Sequence, residues 1–396
     1  MMETAIKRLT PLLTAAGLAL AAPASAHESQ VWRLIVADAE DGAVTVHDLG
    51  EGEALRVSLP APARLHAGQD GTRVWLVQRE TGAVSVLETG LEIEDHGDHI
   101  AAEFGAPALL PGTFSGERPV HVNMWGDTVA VFFDGTGEAA VVSARAMAAG
   151  EADPQIVATG APHHGVAAPV PGGGLILSVP TEGEGLPDAL RLVDAEGAEI
   201  ARVSCPDMHG EGRAAGLVAF GCTDGIAVFD PAAGTARHIP APEGLPEGAV
   251  RTMLSPRDTA ALVGSWGREG AVILDPQSED GHFAHLSLPA PRMAWALDEA
   301  GFTGFAILSD GRLVRFDALT GEITAETEGV TGPYSMERGV VRPMLAVAGG
   351  RVAVSDPAAG VVALLDAGDL SGIDRLPVGG TPQGVVLLSA EDGHVH

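Results

Sequence analysis

Three histidines recur along the chain at nearly equal spacing: His121 in RPVHVNMWGD, His164 in APHHGVAAPV and His209 in CPDMHGEGRAAG. The gaps between them are 43 and 45 residues. Neutral imidazole is a good ligand for Zn²⁺, and three histidines with a carboxylate or a water form a recurring zinc arrangement. If the spacing matches a structural repeat, the three rings meet at one place. The sequence therefore predicts a metal site built from these residues.

The rest of the chain supplies such a repeat. Short apolar runs followed by an acidic turn and a glycine occur from end to end, as in DGAVTVHD, TGAVSVLE and DGRLVRFDALTG. The unit contains about four strands in roughly 36–55 residues, a period typical of radial β-architectures. A single four-stranded sheet cannot bury both faces, so the units must stack around a ring. We predict an all-β fold, a single closed β-propeller of four-stranded blades, with eight blades and seven as the alternative.

The ring also explains how the histidines would meet. The first strand of each blade lines the central channel, and each histidine stands at the start of such a strand, in the predicted blades three, four and five. The chain ends with one more strand, QGVVLLSA, which lacks a unit of its own. Pairing this C-terminal strand with the first unit would close the ring and remove the sheet edges that invite aggregation.

The first 26 residues have the pattern of a secretory signal peptide. Lys7 and Arg8 precede an apolar stretch that ends in Ala24-Ser25-Ala26, a small-x-small cleavage signal. The propeller domain is therefore predicted over residues 27–396, and the periplasm is the predicted location. No later segment reaches the length of apolar sequence that a membrane-spanning helix needs, so no membrane insertion is expected.

The net charge limits the classes of partner, and the cysteine content predicts a disulfide. The formal net charge is −30, which argues against nucleic acid or an anionic membrane as a partner and is compatible with cations or basic protein surfaces. A closed ring with an acidic surface is expected to be a monomer. Cys205 and Cys222 are the two cysteines, and in an oxidising compartment they are predicted to form a disulfide between adjacent strands.

A second group of metal-ligating residue types lies in Glu92–Ile100. It reads as a mobile cation-binding loop in the link between blades two and three, leading towards His121; the alternative is a solvated acidic loop. His163, next to His164, is a further candidate, although strand alternation points it elsewhere unless the turn twists it inward. The candidates beyond the three spaced histidines are thus His163, His96, His99, Asp95 and Asp98. Carboxylates that could complete the coordination shell are Asp127, Asp207 and Glu211.

Enzymatic motifs are missing from the sequence. It contains no HExxH, GxSxG, P-loop or CxxCH pattern, and no residue is singled out as catalytic. Zinc held by three histidines with an open position could still hydrolyse a substrate. The alternatives to a metal carrier are therefore a metal-dependent propeller hydrolase or lactonase, and a metal-free interaction scaffold.

The combination of an exported propeller, the motifs HVNMWGD, PHHGVA and MHGEG at blade starts, an EDHGDH segment and one cysteine pair resembles the AztD-type periplasmic zinc metallochaperones. The resemblance covers the mature chain, and its motifs are specific only in combination. It implies a zinc-binding propeller that is not an enzyme and that hands Zn²⁺ to AztC, the solute-binding protein of a zinc ABC transporter. It also implies His121, His164 and His209 as ligands, with His99 or a neighbouring acid as a mobile partner.

Overall fold

The computed structural model describes residues 30–396, except 51–53, 69, 96–98, 152, 184, 257–258, 391–392 and 395–396. The predicted signal peptide therefore lies outside the described residues. Within them, eight four-stranded antiparallel sheets follow one another around a ring. This confirms the predicted eight-bladed propeller. In the same part of the chain, no helix is long and apolar enough to cross a membrane.

The first four blades occupy residues 31–204. Blade one begins with β1 (Val31–Asp38), β2 (Ala43–Asp48) and β3 (Leu55–Ser58). Blade two and its insertion contain β4 (Arg64–Ala67), β5 (Arg73–Gln78), β6 (Ala83–Glu88), β7 (Leu91–Asp95), β8 (His99–Phe104) and β9 (Ala108–Ser115). Blade three contains β10 (Pro119–Trp125), β11 (Thr128–Phe133), β12 (Glu138–Ser143), the short helix α1 (Ala144–Ala148) and β13 (Gln155–Ala158). Blade four contains β14 (Ala167–Pro169), a 3₁₀ turn at Pro171–Gly173, β15 (Leu175–Val179), β16 (Ala189–Val193) and β17 (Glu199–Ser204).

The remaining blades repeat the pattern with little interruption. Blade five contains β18 (Glu211–Ala214), β19 (Leu217–Cys222), β20 (Gly225–Asp230) and β21 (Thr235–Pro240). Blade six contains β22 (Met253–Leu254), β23 (Leu262–Ser265), β24 (Gly270–Leu274) and β25 (Ala284–Ser287). Blade seven contains β26 (Arg292–Leu297), β27 (Thr303–Leu308), β28 (Leu313–Asp317) and β29 (Ile323–Thr327). Blade eight contains β30 (Leu345–Ala348), β31 (Arg351–Asp356), β32 (Val361–Asp366) and β33 (Asp374–Pro377), and the chain ends with β34 (Pro382–Ala390) and β35 (Gly393–His394).

The C-terminal strand closes the ring as predicted. β34 pairs antiparallel with β1, from Val31 opposite Ala390 to Ala37 opposite Gly384, and becomes the innermost strand of blade one. Both edges of β1 are then paired, so blade one has four strands like the other blades and β1 is not left as an exposed edge.

The hydrophobic core lies between neighbouring blades. Trp75 of blade two belongs to one buried cluster with Val131 and Phe133 of blade three, and Ile176 of blade four to another with Phe220 of blade five. The second and third strands are buried on both faces and read as continuous apolar runs, whereas the fourth strands are mostly exposed at the rim. Each blade therefore depends on its neighbours for burial, which holds the inner strands in a fixed circle.

The histidine- and aspartate-rich segment differs from its prediction. It is not a link between blades: β7 and β8 form a hairpin inserted within blade two, between the third strand β6 and the fourth strand β9. β35 pairs with β8, with His394 opposite His99, and makes a third strand. Two of the four predicted residues, His96 and Asp98, lie outside the described residues. The base of the hairpin is fixed to blade one because the Arg33 guanidinium donates to the carbonyls of Thr89 and Gly105.

Cys205 and Cys222 form the predicted disulfide. Their strands are not adjacent in one sheet, however. Cys205 follows the outermost strand of blade four and Cys222 ends the second strand of blade five, so the bond joins two blades across their shared core.

Candidate metal centre

His121, His164 and His209 converge at the starts of three consecutive inner strands. His121 lies in β10 of blade three, His164 just before β14 of blade four, and His209 just before β18 of blade five. The blade assignment made from the sequence is the one observed. Their potential ligand atoms all lie within 4.8 Å of one another.

The distances between the ring nitrogens suit a tetrahedral metal. The Nε2 atom of His164 lies 3.2 Å from Nε2 of His121 and 3.3 Å from Nε2 of His209. Zinc–nitrogen bonds of about 2.0–2.1 Å in a tetrahedron place the ligand nitrogens about 3.3 Å apart. Both Nε2–Nε2 distances from His164 therefore match an edge of a zinc tetrahedron, and the fourth position is left to another ligand.

Local backbone features bring each ring to this point. The register of β10 against β11 shifts between Pro119 and Val122, and such a bulge re-aims the side chain of His121. Gly165, after His164, must lack a side chain because a Cβ there would lie 2.4 Å from Ser178 Oγ. Gly210, after His209, has a positive φ of 81°, and a Cβ there would lie 2.7 Å from the Arg251 carbonyl oxygen.

Two of the rings are oriented through their other nitrogen. His164 Nδ1 lies 2.8 Å from Oδ2 of Asp134, a carboxylate buried at the end of β11. His209 Nδ1 lies 2.6 Å from the Arg251 carbonyl oxygen in blade six. A carbonyl or carboxylate oxygen at this position accepts a hydrogen bond from Nδ1–H, which keeps the proton on Nδ1 and leaves the Nε2 lone pair free for a metal. Sequence reasoning missed Asp134 and Arg251, since an aspartate in FFDGTG and an arginine between blades look like ordinary turn residues.

The electrostatics favour neutral imidazoles. Burial, with the neighbouring rings of His164 and His209, lowers the pKa of His121 to about 3. Burial also lowers the pKa of His209, although its hydrogen bond to Arg251 opposes the shift. Both rings are thus unprotonated at neutral pH and can bind a metal without first losing a proton.

The pocket beside the three rings has the size of an ion. Its volume is about 20 Å³, room for one water molecule or one ion. Its walls come from Gly165, Val166, Met208, Gly210, Glu211 and Phe220 in addition to the histidines. Glu211 Oε2 is buried and has no hydrogen-bond partner among the described residues, which makes this carboxylate a candidate for the fourth ligand.

The other predicted candidates lie elsewhere. His163 has both ring nitrogens engaged, with the Ala161 carbonyl and with Ser178 Oγ, each at 2.8 Å, and is not part of the three-histidine group. Asp127 is bound to Ser143 and Arg145 at the β10–β11 turn, and Asp207 accepts from Thr223. A further group, Cys222, Asp224 and His238, offers no thiolate because Cys222 is in the disulfide.

The hairpin of β7 and β8 lies at the other end of the inner strands. In blade two, Ala67 at the end of β4 pairs with Val74, and Arg73 pairs with Glu88, the last residue before the hairpin. In blade three the equivalent end of β10 is Trp125, whereas His121 is near its start. The expectation that this segment leads towards His121 is therefore wrong: Asp95 and His99 leave the ring on the opposite face.

The comparisons with known proteins agree with this architecture. The chain is 31% identical over 384 residues to the zinc chaperone AztD of Citrobacter koseri, covering 94% of this chain and 90% of that protein. The chain belongs to the AztD zinc-chaperone family. The crystal structure of Citrobacter koseri AztD superposes with a TM-score of 0.85 at 29% identity, covering 93% of this chain and 100% of that one. The apo structure of the same AztD gives a TM-score of 0.83 at 28% identity, with 91% and 98% covered. No family model matches the chain.

A more distant structure shows the fold alone. The dihydro-heme d1 dehydrogenase NirN superposes with a TM-score of 0.60 at 16% identity, covering 89% of this chain and 74% of that chain. By contrast, AztD is named as a chaperone and not as an enzyme. Membership of this family thus favours carriage of zinc over the alternatives of a hydrolase and a metal-free scaffold.

Proposed function

We propose that this chain is a periplasmic zinc metallochaperone that binds Zn²⁺ through the Nε2 atoms of His121, His164 and His209. It delivers the ion to the solute-binding protein of a zinc ABC transporter, a protein of the AztC type. The observation that carries the proposal is the convergence of the three histidines on an ion-sized pocket, with Nε2 of His164 at tetrahedral spacing from Nε2 of the other two rings. Membership of the AztD family supports zinc as the metal.

The roles of the residues follow from their contacts. Asp134 and the Arg251 carbonyl hold the His164 and His209 rings with Nε2 turned towards the ion. Glu211 or a water completes the shell at the fourth position. In a site with three fixed ligands and one exchangeable position, a ligand of the partner protein can bind the ion before the histidines dissociate from it. A closed site with four protein ligands has no such free position.

The small pocket also supports carriage over catalysis. A hydrolytic zinc site must admit a substrate carbonyl beside the metal-bound water, and a space of about 20 Å³ holds little more than the ion. We therefore assign no catalytic residue.

His163 and the residues of the hairpin have roles other than coordination of the ion at the three-histidine site. We assign His163 to holding the entry to blade four, because its nitrogens bind Ala161 and Ser178. We assign His96, His99, Asp95 and Asp98 to capture or handover of zinc, and not to the coordination shell of the three-histidine site.

Location and partner type rest on the sequence. Residues 1–26 have the pattern of an export signal, and the net charge of −30 suits contact with a basic surface on a partner protein. We propose that the chaperone acts as a monomer and forms a transient complex during transfer.

The proposal is tested by zinc transfer in the presence of a competing chelator. The zinc-loaded mature protein is mixed with a periplasmic zinc-binding protein of an ABC transporter, and the rate at which the acceptor fills is measured. Transfer faster than chelator-limited release supports direct handover; transfer at the rate of spontaneous release contradicts it.

The ligand assignment has its own control. His164→Ala is expected to abolish tight zinc binding, because it removes the central ring of the three. His238→Ala is the matched control, since His238 is a histidine bound to an aspartate outside the site. Equal zinc affinity in wild type and His164→Ala would overturn the three-histidine site. His96→Ala with His99→Ala is expected to leave that affinity unchanged and to slow transfer.

A further inference from the structure

A wide cavity occupies the central channel on the far side of Glu211 from the three histidines. Its volume is about 770 Å³, within the range of sites that hold small organic ligands. Its walls come from the inner strands of blades two, three and five, from the turn between β18 and β19, and from the residues that follow β22 in blade six. The zinc proposal leaves this space without a role.

The cavity is lined by polar groups that lack partners. Nη1 and Nη2 of Arg213 and Nε2 of His66 are buried, and none of these atoms has a hydrogen-bond partner within the described part of the chain. Buried guanidinium nitrogens are almost always hydrogen-bonded, because leaving a charged donor unpaired is costly. A group of unpaired donors around one space points to a missing acceptor.

The nearest carboxylate does not meet this need. Glu211 Oε1 lies 3.9 Å from Arg213 Nε, beyond hydrogen-bonding distance, and on the Nε side of the guanidinium. The guanidinium carbon lies 5.5 Å from the centre of the Trp125 ring, which supports the plane of the group. The outer pair of nitrogens, Nη1 and Nη2, is left without an acceptor.

The surroundings select the class of acceptor. A planar carboxylate matches the paired N–H groups of a guanidinium. Glu211 beside Arg213 disfavours an anion of higher charge, since one arginine would then face three or more negative charges. His66 adds a donor but no charge, because burial and Arg64 lower its pKa to about 4. The lining also includes the apolar side chains of Val122, Leu217 and Pro256.

We propose that the channel cavity binds a small monocarboxylate, with its carboxylate on Arg213 and a short apolar tail against Val122 and Leu217. His66 supplies a second hydrogen bond to the carboxylate. The ligand lies in the channel behind the zinc site and is held by residues that are not zinc ligands.

The test uses metal-free mature protein and butyrate as the probe, with affinity measured by calorimetry and by the change in tryptophan fluorescence. Wild type is expected to bind butyrate, and Arg213→Gln to bind it at least about tenfold more weakly. Arg292→Gln is the matched control: Arg292 is also on an inner strand and lies 4.1 Å from the centre of a tryptophan ring, but it does not line the cavity. It is expected to bind butyrate as wild type does.

A second variant covers the case in which Arg213→Gln fails to fold. Arg213→Lys keeps the charge but loses the paired donors, and it is expected to weaken butyrate binding as well. Equal affinity in wild type and both Arg213 variants would overturn the proposal, as would sulfate binding as tightly as butyrate. Butyrate binding that requires zinc would make the anion a metal ligand and would also overturn it. His164→Ala should keep butyrate binding, so failure of the zinc proposal and of this one are separable.

Discussion

At the scale of single residues, the orientation of the three rings depends on groups that never touch the metal. His164 is the central ring, and its Nδ1 meets the buried carboxylate of Asp134. Such a carboxylate fixes the tautomer and raises the basicity of the ligand nitrogen. The zinc affinity of the site therefore depends partly on Asp134 in blade three, although the ring that Asp134 orients belongs to blade four.

Asp134→Asn is expected to lower zinc affinity by about 10- to 100-fold, because the amide supports the wrong tautomer and removes the charge. The measurement is a zinc titration against a competing chelator. Asp127→Asn is the control, since Asp127 binds Ser143 and Arg145 at the far end of the same blade. Unchanged affinity in Asp134→Asn would show that packing alone holds the His164 ring.

A second residue-scale prediction concerns acid stability. Burial lowers the pKa of His66 to about 4 from its usual 6.5. Between these two values His66 is protonated in the unfolded chain and neutral in the folded protein. Stability is therefore lost as the pH falls below about 6.5, and the loss is complete only below about pH 4.

In the metal-free protein, His66 should account for about 2 kcal/mol of the stability lost between about pH 7.5 and pH 5. Urea unfolding of wild type and His66→Gln at the two pH values measures this difference. The variant should lose less stability on acidification than the wild type does. An equal loss of unfolding free energy in both proteins would contradict the lowered pKa of His66. His285→Gln, on the outer strand of blade six, serves as the control.

At the scale of elements, the loop that carries His209 is held at several points. The backbone N–H groups of Cys205, Met208 and His209 donate to the carbonyls of Asp188, Pro187 and Gly221, respectively. The Cys205–Cys222 disulfide ties the start of the same loop to blade five. The loop is thus fixed between two blades by hydrogen bonds and by a covalent bond.

The variant Cys205→Ala with Cys222→Ala is expected to lose about 3 kcal/mol of stability, the effect of a crosslink that closes a short loop. The sequence separation of the two cysteines is 17 residues. Zinc affinity should change little, because the backbone hydrogen bonds remain. The measurements are denaturant unfolding and a zinc titration on the same variant. A large loss of affinity with little loss of stability would assign the disulfide to the site instead.

Some strands of the fold could be predicted from the sequence and others could not. The blade count, the inner strands and the positions of the three histidines follow from a regular period, which survives because every blade must bury the same two faces. The hairpin of β7 and β8 could not be placed, since it separates β9 from the rest of blade two. β9 itself, ALLPGTFS, contains Pro and Gly and shows no alternation. Asp134 was not identifiable because its partner is 30 residues away in the next blade.

At the scale of the whole molecule, the zinc site couples three blades of the ring. An ion held by blades three, four and five binds only when these blades are correctly packed. Zinc binding should therefore stabilise the folded ring by mass action.

Zinc at about one hundred times its dissociation constant is expected to add about 2.7 kcal/mol to the stability of the wild type. Thermal unfolding with and without zinc measures this gain. His164→Ala should show no gain, and His238→Ala should show the full one. Equal stabilisation of His164→Ala would mean that zinc acts elsewhere on the protein.

Ring closure has a further consequence for the kinetics of folding. β1 finds its inner partner only in β34, more than three hundred residues later, whereas the strands of the other blades pair with close neighbours in sequence. Pairings of such separation close slowly because the intervening chain must first be ordered. A long-lived intermediate is then expected in which blades two to eight are stacked and blade one is incomplete. In that intermediate blades three, four and five are already packed together, so the three histidines can bind zinc before β34 pairs with β1.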